Sequence, residues 1–140
     1  MTTLLLTHLL AIGAWLGCYL VESILEYQGV KNPEIEIVAI KLHRLIDIFV
    51  EIPIFIIVLG TGFLLLSQSS FSLLLMFKVI FGLVAVGINI VCAFSVFRRK
   101  AALDMQQADK VHKESKFIHS TFLGVIPGLI TLALGVALIQ

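Results

Sequence analysis

Histidines and carboxylates recur at helical spacing inside stretches apolar enough for lipid, and together such groups can hold a metal ion or a haem, or move a proton. His8, Trp15, Glu22 and Glu26 fall within about 40° of one another on a helical projection, a single stripe. His43, Asp47 and Glu51 follow one another at four-residue steps, within about 80° on one side of a second segment. Lys78 and Asn89 share a face of a third segment, and His112 and His119 share a face of a fourth. An ionisable group inside a bilayer costs at least about 2.5–3.5 kcal/mol, so such groups usually face a protein interior and mark function.

The elements that must position these residues follow from composition. The chain has 140 residues, 59% hydrophobic and 14% charged, with a mean hydropathy of +1.08. A soluble domain is about 45–50% apolar and about 25% charged. This composition excludes a soluble enzyme, a disordered chain and a nucleic-acid binder. A transmembrane helix needs about 20 largely apolar residues, so the chain has room for four. The expected spans are about 4–26, 43–66, 71–97 and 117–139, in a single transmembrane domain over 1–140. Short turns between them make the expected fold class all-α, an integral membrane up-down four-helix bundle. Pro33, with Glu34 and Glu36 behind it, can start a helix. Pro53 and Pro127 open their helices near mid-membrane.

The N-terminal stretch lacks the basic start of a cleavable signal, so it reads as a helix of the mature chain. Cys18 and Cys92 lie in apolar sequence and read as small core residues, not a disulfide framework. Net charge is +1, so the placement of charge matters more than its sum. Arg98, Arg99, Lys100, Lys110, Lys113 and Lys116 fall in one connection, and Lys31, Lys41 and Arg44 in or beside another. The positive-inside rule puts both in the cytoplasm, with both termini on the non-cytoplasmic side of what is expected to be the inner membrane. The run Arg98-Arg99-Lys100 could also meet anionic lipid head groups. Gly13-x-x-x-Gly17 and Gly124-x-x-x-Gly128 permit close helix contact, either within the bundle or in a homo-oligomer.

With this orientation His8 and Lys78 lie toward the outer face. Glu22, Glu26, His43, Asp47, Asn89 and His119 gather toward the cytoplasmic half, with Glu51 nearer the middle. The inner group, carboxylates with imidazoles, suits Zn, Fe or Mn better than Cu(I). The metal-ligand candidates are therefore His8, Glu22, His43, Asp47, Glu51 and His119. The same acids could instead pair with Arg44 or Lys78 as structural ion pairs, and the residues nearest the head groups could simply be solvated.

Thr7 to Gly17, with a histidine seven residues before a tryptophan, resembles the first helix of HemJ-type protoporphyrinogen oxidases and CopD-like membrane proteins. His43-Arg44-Leu45-Ile46 before Pro53 and Gly60, Phe77-Lys78-Val79, and Val125-Ile126-Pro127 resemble the other HemJ helices. Asn89 stands where the family has a histidine, and Gly124-Val125-Ile126 where it has an acid before the last proline. The resemblance implies a haem-b-binding membrane redox protein, with His8 as axial ligand and Lys78 as the partner of an anionic group. Beside it, the porphyrin propionates could seek Arg44 or Lys78, and Trp15 could wall the porphyrin or simply pack in the core. His43 and His119 form an alternative axial pair.

Three functions are thus open from the sequence: a haem-b redox protein, a divalent metal-ion binding or transport protein, and a structural subunit whose stripes fix helix register.

Overall fold

In a computed structural model, which describes residues 2–137, the chain is all-α with four long helices. They are α1 (Thr3–Lys31), α2 (Pro33–Ser67), α3 (Leu73–Asp104) and α4 (Ala108–Ala137), and each is long and apolar enough to cross a membrane. The fourth expected span reaches about residue 139, and its last positions lie outside the described residues. Two compact units divide the chain between Ser69 and Ser70, and each is a pair of antiparallel helices.

The helices begin where the sequence offers caps. The side chains of Thr2, Asn32 and Ser72 accept backbone N–H groups of Leu5, Glu34 and Leu75 at 3.3, 2.9 and 3.1 Å. Each satisfies a donor that the first helical turn leaves unbonded. Pro33 takes the first position of α2, as its sequence context predicts. The first connection is much shorter than expected: α1 runs to Lys31 and Asn32 alone separates it from α2. Gly29 makes this corner possible, because a Cβ there would lie 3.2 Å from the Cα of Glu36.

The polar segment that follows the third apolar stretch is helical but interrupted at Met105–Gln107. Gln106 takes a φ of 55°. The N–H groups of Gln106 and Gln107 reach back to the carbonyls of Leu103 and Ala102 at 3.0 and 2.9 Å. This is a Schellman ending with glutamine in the left-handed position that glycine usually fills.

The two prolines inside the apolar segments loosen their helices in different ways. Proline has no N–H and its ring crowds the carbonyl four residues back. Before Pro53, α2 widens into a π turn over Asp47–Glu51, with the N–H of Ile52 bonded to the carbonyl of Asp47. In α4 the chain tightens into a 3₁₀ turn over Phe122–Gly124, just before Pro127.

Candidate metal centre in the first hairpin

The buried face of α1 carries His8, Ala11, Trp15, Glu22, Glu26 and Gly29. This is the stripe predicted from spacing, with alanine and glycine filling the steps between the functional residues. It packs against the face of α2 that carries Ala39, Ile40, His43, Asp47 and Glu51. A four-residue step overshoots one α-helical turn by about 40°, so two steps would leave Glu51 about 80° off His43. The wider π turn falls short of a full rotation over the same step and brings Glu51 back to the side facing α1. Asp47 and Glu51 are 1% and 3% exposed.

Along this seam the side chains pair in antiparallel order. His43 sits at the centre of the inner group and is 2% exposed. Its Nδ1 lies 2.6 Å from Oε1 of Glu26. In the neutral imidazole with its proton on Nδ1 toward Glu26, Nε2 presents its lone pair on the opposite side of the ring. That Nε2 lies 3.5 Å from Oε2 of Glu22 and 4.0 Å from Oδ1 of Asp47. One ligand atom from each of Glu22, His43 and Asp47 can be chosen so that all lie within 4.8 Å of one another. Ligands at about 2.1 Å from a tetrahedral metal are about 3.4 Å apart. The Glu22–His43 separation already fits, and Asp47 needs a small inward rotation. Oε1 of Glu22 is buried without a hydrogen-bond partner among the described residues, an arrangement that proteins rarely leave uncompensated.

One level further toward the N-terminus of α1, Trp15 donates its indole N–H to Oε1 of Glu51 at 3.0 Å. The indole is packed between Tyr19 and Phe55, with ring centroids 6.4 and 5.6 Å away. Near the same end of the hairpin, Nδ1 of His8 lies 2.8 Å from Oγ1 of Thr61. The Thr61 hydroxyl gives its proton to the carbonyl of Ile57 at 2.6 Å, so it accepts from His8. Gly62 makes room for the ring, since a Cβ there would lie 3.2 Å from Cε1 of His8.

The inner group and His8 are therefore separate levels of one hairpin. Arg44 is half-buried beside His43, about 25 Å along α2 from Thr61. No porphyrin bound at His8 spans that distance to reach it. Glu22 and Glu26 both lie within ion-pair distance of His43.

The remaining candidates belong to the second hairpin. Lys78 is half-buried and lies over Gly135, where a Cβ would stand 3.3 Å from Cε and 3.4 Å from Nζ of the lysine. Nδ1 of His119 is 2.8 Å from the carbonyl of Ser115 on its own helix, and its ring meets Phe122 edge-on. Asn89 is half-buried and His112 is exposed. Gly124 packs within this hairpin, with its position for a Cβ only 2.5 Å from Cγ2 of Ile88. Gly13 and Gly17 are exposed, and a Cβ at either meets nothing within 4 Å.

The basic run is not a uniform positive patch. Arg98 pairs with Glu114 at 2.9 Å, Arg99 is buried with Nη1 3.4 Å from Oγ of Ser115, and Lys100 pairs with Asp104 at 2.6 Å. Glu114 also accepts the hydroxyl of Ser95. Spacing did not single out this Ser95–Glu114–Arg98 group. Its one visible signal is an acid in the midst of Lys110, Lys113 and Lys116 on the amphipathic start of α4.

No protein family, curated protein or solved structure matches this chain.

Proposed function

We propose that this chain is an integral membrane protein that binds a divalent transition-metal ion through Glu22, His43 and Asp47. The observation that carries the reading is the orientation of His43. Its Nδ1 is 2.6 Å from Oε1 of Glu26, which can accept the ring N–H, and Nε2 faces the two other carboxylates. Metal-binding histidines almost always give their second ring N–H to a carboxylate or carbonyl in this way. A set of one imidazole and two carboxylates suits Zn, Fe or Mn. With the basic connections in the cytoplasm, the centre lies in the cytoplasmic half of the membrane and both termini lie outside. Equilibrium dialysis of the purified chain against Zn²⁺ tests the reading. It predicts one tightly held ion per chain, lost in the His43→Ala, Asp47→Ala double variant; full metal content in that variant would contradict it.

A second reading, a haem b protein, is favoured by His8. Its ring is 7% exposed, is held in one tautomer by Thr61, and lies in a recess kept open by Gly62. Against it, the indole of Trp15 is already packed between Tyr19 and Phe55 and bonded to Glu51. Absorption spectroscopy after expression with ample haem decides the matter: the haem reading requires a Soret band that His8→Ala removes. Gly13 and Gly17, exposed on α1, are the face proposed for a homo-oligomer in either reading.

A further inference from the structure

Three ligands leave a tetrahedral metal one position short, and the hairpin holds another acid close by. We propose that Glu51 is the fourth ligand, held off the centre by Trp15 until a cation arrives. The inference rests on the metal reading above and assigns Glu51 and Trp15 within it.

The π turn places the two acids concerned at its ends. Asp47 belongs to the triad and Glu51 is bonded to the indole. Both are almost wholly buried on the same seam. They are four positions apart, about one turn of the helix. A helical Cα–Cβ bond tilts toward the N-terminus of its helix, so the side chain of Glu51 leans toward the turn that carries Asp47. A change of side-chain rotamer is the movement the proposal requires of Glu51.

The indole N–H is a neutral donor and offers a carboxylate less than a divalent cation does. The buried, unpartnered Oε1 of Glu22 supplies an independent sign that the inner group is built around something positive. Pi turns inside α-helices are rare and frequently mark functional sites. Here the turn has a specific consequence: in a regular helix Glu51 would rotate away from both Trp15 and the triad.

Trp15 is the only tryptophan, so its fluorescence reports on Glu51 directly. The experiment titrates the full chain in detergent with Zn²⁺ while following tryptophan emission, with dialysis measuring bound zinc in parallel. Wild type is expected to show a saturable emission change that tracks one zinc per chain. Glu51→Gln is expected to bind zinc at least about tenfold more weakly, with emission that no longer responds at saturation. Trp15→Phe, which releases Glu51, is expected to bind more tightly than wild type by dialysis. Zinc bound by wild type with no emission change, or with equal affinity in Glu51→Gln, would overturn this inference and leave the triad standing. A Trp15→Phe variant that binds no more tightly would overturn the holding role of Trp15. A wild type that binds no zinc would overturn the triad and this inference together.

Discussion

Oε1 of Glu26 stands 2.6 Å from Nδ1 of His43, and both side chains are buried. The two residues sit on successive helices, Glu26 one turn before the end of α1 and His43 on the third turn of α2. The nearly immediate reversal at Asn32 brings them together. Removing the carboxylate leaves the proposed metal ligands in place but frees the imidazole to turn. Glu26→Ala is therefore expected to weaken Zn²⁺ binding by about 10–100-fold while keeping one ion per chain at saturation. Glu26→Gln, which can still accept from Nδ1, falls between Ala and wild type.

Pro53 is expected to control the π turn. Pro53→Ala restores a backbone donor and removes the clash with the preceding turn, allowing α2 to run as a regular helix. Glu51 then rotates away from Trp15. The variant should show a shifted tryptophan emission without metal and weaker zinc binding, even though its helix content is unchanged or higher by circular dichroism.

Glycines on different faces should respond oppositely to the same substitution. Gly124→Ala forces a Cβ onto Ile88 and should destabilise the second hairpin by about 1–3 kcal/mol. Ile88→Ala in the same chain should recover part of the loss. Gly13→Ala meets open space and should change stability by less than about 0.5 kcal/mol. Unfolding in mixed detergent measures all three.

Charge pairs at the polar end of the second hairpin should divide by burial. Glu114→Ala leaves the buried Ser95 hydroxyl without its acceptor and should cost about 1–3 kcal/mol. Asp104→Ala removes an ion pair whose carboxylate is largely in solvent; exposed pairs contribute about 0–1 kcal/mol. The same unfolding assay distinguishes them.

Much of the first hairpin is legible in the spacing of its residues. Composition and apolar run length gave four membrane-length helices, because lipid leaves the backbone few other choices. The four-residue steps of His43, Asp47 and Glu51 and the seven-residue steps of His8, Trp15 and Glu22 gave the faces that pack. Partners were harder to see. Thr61 as the mate of His8, and Glu51 as the mate of Trp15, depend on the register between two helices, and that register is set by the one-residue corner at Asn32. The π turn was invisible to periodicity, since its cause is a donor missing at Pro53. Arg98-Arg99-Lys100 looked like a single patch because sequence cannot show that Glu114, Ser115 and Asp104 each take one of the three.

The most direct test of the central claim is the metal content of the full chain after dialysis against Zn²⁺, in wild type and in the His43→Ala, Asp47→Ala double variant. One zinc per wild-type chain and none in the variant are expected. Wild-type protein that emerges without zinc, or a double variant that keeps it, would contradict a metal centre between α1 and α2.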